Sequence, residues 1–180
     1  MCDAERTRQI LAPHAGEERG GTPVDNRELL QQQLTVSHQI LTHSLSDISE
    51  DEARRMPNPT LSPIIWQVGH LAWTNATFRQ RSGASPTTAL PANYPDLFKT
   101  GTGGQAAYPP LEVVVGVFDA THEDLMTAVA EARLEAPNES PRGVWKNVAE
   151  MLGFSNTHRW YHIGKINSLR ALLGKPRLFG

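Results

Sequence analysis

Residues 151–173 read MLGFSNTHRWYHIGKINSLRALL. Met151, Ser155, His158, His162, Ile166, Leu169 and Leu173 follow at intervals of 4, 3, 4, 4, 3 and 4, the repeat of one face of an α-helix. The spacing predicts a helix over 146–173, stopped by Gly174 and Pro176, with Lys175 and Arg177 beside the negative end of its dipole. Both histidines fall on its core stripe. Four residues apart, they project one turn from each other on one side.

Working outward, three more helices are predicted. The first begins near Asp25, an N-cap with Glu28 at the capping-box position, and runs along Leu30, Leu34, Leu41, Leu45 and Ile48, with His38 on the same stripe. Ser46-Asp47 and the acidic group Glu50-Asp51-Glu52 break the pattern, and Pro57 and Pro59 forbid a long helix there. The second opens with Ser62 as N-cap and Pro63 in the first turn, carries Trp66, His70, Trp73 and Phe78, and ends at Gly83. The third runs over 110–133, with Leu111, Val114, Val115, Phe118, Leu125 and Val129 on its buried face. Between the second and third lies a long loop, 84–110, rich in proline and glycine. Such length implies a crossover or a lid, and Tyr94, Leu97, Phe98 and Tyr108 are its apolar anchors. The expected fold is all-α, a four-helix bundle whose path is either up-down-up-down or up-down-down-up. Residues 1–24 are expected to be a flexible tail and 25–180 the single domain.

The chain has 180 residues, 39% hydrophobic and 20% charged, enough to bury a full core. A formal net charge of −2, with scattered Lys and Arg, gives no reason to expect nucleic acid. No run of ~18 apolar residues is present, so no membrane span is expected. The lone Cys2 permits no disulfide within the chain, and the N-terminal residues lack a signal-peptide pattern; a cytoplasmic protein is expected.

With seven histidines, an i,i+4 pair arises by chance in roughly a quarter of chains this long. Burial is the stronger argument. Two adjacent buried imidazoles are costly without partners, and a shared metal ion answers both. A third ligand must come from another helix, and His70, between Trp66 and Trp73, is the best candidate. A lone histidine in such a place is more often a core residue bonded to a carbonyl. His38 is read first as a packing or supporting residue; His14, His43 and His122 are read as tail or solvent-facing residues. Trp66, Trp73 and Trp160 are core residues or pocket walls. Arg79, Arg159, Lys165 and Arg170 are surface charges by default, though any could meet a carboxylate-bearing ligand.

SPIIWQVGHLAW (62–73), followed by NTHRWYHIGKINSLRALLGKP (156–176), resembles the DinB-like superfamily, its DinB/YfiT-like metalloenzymes in particular. The pattern is a Gly-His on the second helix, then H-x-x-x-H running into G-K-I-x-x-L-R-x-x-L-G-x-P. It covers about residues 26–177. The first segment looks most like the subgroup that includes the N-terminal part of ergothioneine-pathway sulfoxide synthases, whose full activity is not expected of these 180 residues. The resemblance implies a four-helix bundle in which His70, His158 and His162 face inward onto one divalent metal ion, with water in the remaining positions. It also implies a homodimer, a small-molecule substrate and a role in stress response or detoxification.

Three neutral imidazoles leave an ion with open positions, where a bound water or thiol loses its proton near neutral pH. The resemblance also implies thiol-dependent activities, so the first functional expectation is a metal-dependent transferase using a low-molecular-weight thiol of the bacillithiol, mycothiol or glutathione type. A metal-dependent hydrolase is the second, weakened by the lack of a carboxylate base close to the histidines. A non-enzymatic metal-binding protein is the third. Zn, Ni, Fe or Cu would suit such a donor set.

Overall fold

The computed structural model describes residues 25–178 apart from 86, 105, 106 and 141. The expected tail, with Cys2 and His14, lies outside the described residues. The described chain is all-helical: α1 (Asn26–Leu45), α2 (Glu50–Arg54), α3 (Ile64–Arg81), α4 (Tyr94–Phe98), α5 (Leu111–Glu131) and α6 (Val148–Leu172). The four long helices fall where the periodicity places them. The two five-residue helices, α2 and α4, were not expected. A single bridge between Pro137 and Asn147 is the only extended pairing among the described residues. No helix there is long and apolar enough to cross a membrane.

Caps differ from expectation in two places. Asp25 caps α1, but its carboxylate accepts from Arg27 N–H, so Glu28 completes no box. The reciprocal capping box forms instead at Ser49 and Glu52, inside the acidic stretch read only as a break, and it starts α2. At α3 the N-cap position belongs to Pro63, one residue later than predicted. Its fixed φ suits a helix entry, and its carbonyl accepts from Gln67 N–H. Asn147 caps α6 by accepting from Glu150 N–H.

Hydrogen bonds settle the path. Arg27, at the start of α1, donates to the carbonyls of Val129 and Ala132 at the end of α5, so these helices are antiparallel. Asn75 meets Thr121 and Arg79 meets Asp124, so α3 and α5 are parallel. Arg159 donates to Leu34 O and Arg170 to Ser44 O, so α6 runs with α1. The order is therefore up-down-down-up, and the long connection returns the chain so that α5 can run alongside α3.

Two apolar clusters occupy opposite ends. One gathers Leu41, Ile64, Ile65, Leu71, Phe118 and Ile166; the other gathers Leu34, Phe78, Leu125, Val129, Met151 and Leu152. Between them lies a polar layer that includes Ser37, Asn75, Thr121, His122 and Arg159, all buried. The connection packs down on its anchors: Tyr94, Leu97, Phe98 and Tyr108 are buried. Phe98 lies so close to α3 that a Cβ on Gly69 would sit 2.2 Å from its ring.

Candidate metal centre

His158 and His162 lie on the α6 stripe that faces α3, and His70 answers them from α3. One ring nitrogen from each can be chosen so that all three lie within 4.8 Å of one another, and the group could hold a metal ion. His70 and His162 are buried and His158 is half-buried. The fold thus brings together the three histidines singled out in the sequence.

Their tautomers follow from their partners. His70 Nδ1 is 2.7 Å from Phe98 O. A carbonyl only accepts, so Nδ1 carries the hydrogen and Nε2 is bare. Gln67 Nε2 donates to Ser62 O at 2.9 Å, which fixes the amide and turns Oε1 towards His162. His162 Nδ1 donates to that oxygen at 2.5 Å, so its Nε2 is bare too. His162 Nε2 then lies 3.1 Å from His158 Nε2. Two nitrogens on one ion at ~2.0–2.1 Å are expected to stand ~3.0–3.4 Å apart in octahedral or tetrahedral geometry. The donor set and its spacing therefore fit a metal ion. His158 Nδ1 is buried without a partner, which leaves this ring the least constrained of the three.

The electrostatics agree. Burial lowers the pKa of all three rings: to about 4 for His158, where the neighbouring His70 adds to the effect, and to about 2 for His162, where His158 and His70 add. Neutral imidazole, the form that binds metal, is favoured at each. Trp66 stacks on His70 with ring centroids 4.7 Å apart, and Trp73 tilts against the same ring at 5.7 Å. Trp66 Nε1 donates to Thr102 Oγ1, so the long connection steadies the wall as well as the ligand. Trp160 is more than one-third exposed. A surface hollow of about 400 Å³, bounded by Ser82, Glu131 and Arg133, lies at the other end of α3, away from the histidines.

Several sequence readings are corrected. His122 is buried, not solvent-facing; it belongs to the stripe Phe118–His122–Leu125–Val129, which the sequence already displayed. His38, read as a packing or supporting residue, is not one of the three grouped histidines and stacks on His122 at 3.9 Å with its Nε2 3.4 Å from Asp119. Arg79, Arg159 and Arg170 are buried rather than solvated. Arg159, 1% exposed, donates to Leu34 O at 2.9 Å and to Asn75 Oδ1 at 3.3 Å, and approaches His122 Nδ1 at 3.3 Å. A second buried stripe, Leu152, Arg159, Ile163, Ile166 and Arg170, could have revealed it. Gln67 and the Phe98 carbonyl were missed altogether: a glutamine on a helix carries no mark of a ligand's partner, and a backbone carbonyl leaves none in a sequence.

A family model described as the DinB superfamily matches residues 33–166, a span that contains all three histidines. No curated protein matches the chain.

Proposed function

The chain belongs to the DinB superfamily, and from that premise we propose that His70, His158 and His162 bind one divalent metal ion whose free positions activate a low-molecular-weight thiol for transfer to an electrophile. The observation that carries the metal reading is the fixed tautomer of two ligands, with Phe98 O and Gln67 Oε1 holding the Nδ1 hydrogens so that both Nε2 atoms are bare, that of His162 3.1 Å from His158 Nε2. When bound, the ion supplies a Lewis-acid position at which a thiol gives up its proton to solvent near neutral pH. The protein's own part is positioning and exclusion. Trp66 and Trp73 pack against the His70 ring and limit water on the α3 side. The chosen triad contains no carboxylate, so no charge in it offsets the ion's own. The sulfur–electrophile bond forms as the electrophile's leaving group departs, or as its double bond takes a proton from solvent.

The thiol transferase reading rests on the family resemblance and on this open donor set. The test is direct. Metal-loaded protein is incubated with a panel of thiols and monochlorobimane, and the fluorescent conjugate is measured. Turnover with one or more thiols, lost in His162→Ala, is the expected result. Metal binding without turnover on any thiol would overturn the transferase reading and leave the metal site standing.

A further inference from the structure

Four cations in the sequence are candidates to meet a carboxylate on a ligand: Arg79, Arg159, Lys165 and Arg170. The fold itself occupies three of them. Arg79 donates to Ser85 O at 2.8 Å and to Asp124 O. Arg159 ties α6 to α1 and α3 through Leu34 O and Asn75 Oδ1. Arg170 holds the Asp47 carboxylate and the carbonyls of Ser44 and Pro176. Each is buried, with its guanidinium committed to the helix frame.

Lys165 differs in every respect. It stands seven residues after His158 and three after His162, on the face of α6 that carries both histidines and one turn beyond them. Its ammonium lies 4.4 Å from the centroid of the Tyr161 ring, which is 57% exposed, and Lys165 itself is half-buried. Tyr161 in turn stands edge-on to His162, ring centroids 5.1 Å apart. Among the described residues Lys165 makes no ion pair; the carboxylates in such pairs (those of Asp47, Glu50, Glu52, Asp96 and Asp119) belong to other cations. A half-buried lysine with no acidic partner among the described residues, one turn from neutral donors, is available for an anion on a ligand.

We infer that Lys165 is the specificity-determining residue at the rim of this centre, and that it recognises a carboxylate carried by the thiol substrate. This rests on the metal reading of the triad and names the substrate class for it. Ligands with sulfur but no negative charge would reach the metal ion without this contact.

Cobalt(II)-loaded protein reports thiol binding through its visible absorption, without any need for turnover. Titrations with 3-mercaptopropionate and 2-mercaptoethanol are compared in the wild type, Lys165→Gln and Lys165→Arg. The wild type is expected to favour the carboxylate-bearing thiol by about three- to fivefold at low salt, the size of a partly exposed ion pair. Lys165→Gln should abolish that preference while keeping one cobalt per chain, Lys165→Arg should retain it, and added salt should weaken it. Equal affinity for the two thiols in the wild type, or an undiminished preference in Lys165→Gln, would overturn the inference alone. Failure of cobalt to bind would overturn the inference together with the metal reading beneath it.

Discussion

The Gln67 amide decides which nitrogen of His162 is bare. Its Nε2 is held by Ser62 O, and its Oε1 takes the Nδ1 hydrogen. Gln67→Leu should therefore leave His162 free to turn or to change tautomer. A fall of about 10–100-fold in metal affinity is expected, the usual effect of losing such a supporting hydrogen bond. Competition against a chelator measures it, and unchanged affinity would refute the role. Arg159 makes a different claim. Its guanidinium donates to Asn75 Oδ1 and joins Ser37 Oγ at Leu34 O inside the polar layer, so Arg159→Met leaves Asn75 Oδ1 buried and unpaired and removes the tie to α1. A loss of about 3 kcal/mol in urea unfolding is expected, and a loss below about 1 kcal/mol would contradict it. These two residues also mark how far single positions were legible. His158 and His162 stood out because they share a stripe with Met151 and Ile166. Gln67 did not, because a polar residue that supports a ligand has no spacing of its own. Arg159 belonged to a stripe that could be read, but its charge argued for the surface, and only the neighbouring helices show where its hydrogen bonds end.

Short elements hold the centre together. α4 has five residues, yet it supplies the carbonyl that fixes His70, and it can do so only because Phe98 packs against a bare Cα at Gly69. A methyl there would overlap the Phe98 ring, and both backbone segments would have to part. Gly69→Ala is thus expected to weaken metal binding by about tenfold or more through loss of the Phe98–His70 bond, despite the better helix propensity of alanine. Chelator competition on the folded variant checks this; wild-type affinity would show that the close approach is dispensable. The connection was legible as packed chain because Tyr94, Leu97, Phe98 and Tyr108 are too apolar to stay in water. Its helix was not, since five residues span little more than one turn and display no period. The same holds for α2, whose capping box at Ser49 and Glu52 was in plain view but lay in a stretch dominated by acidic residues.

Periodicity says which face of each long helix is buried but nothing of its direction. The up-down-down-up order comes from hydrogen bonds between residues 45 to 126 positions apart, such as Arg79 with Asp124 and Arg170 with Ser44. That order places the polar layer and the triad in the middle of the molecule, between two apolar clusters, and makes stability depend on pH. Burial, with the Arg159 charge adding, pulls His38 down to about 4 and His122 to about 3. Below the unfolded value of about 6.5 the unfolded chain takes up protons that the folded chain refuses, so stability falls as pH drops from there towards the folded values. Asp119, pushed up by burial and by Glu123, opposes this in part. The urea midpoint of metal-free protein should accordingly be lower at pH 5 than at pH 7; equal midpoints would contradict the buried, neutral state of these rings. The account as a whole turns on the metal ion. Calorimetric titration of chelator-treated protein with zinc tests it most directly. The prediction is one ion bound per chain in the wild type and none in His158→Ala or His162→Ala, both retaining their helical circular dichroism. Absence of binding in the wild type, or full binding in those variants, would contradict it.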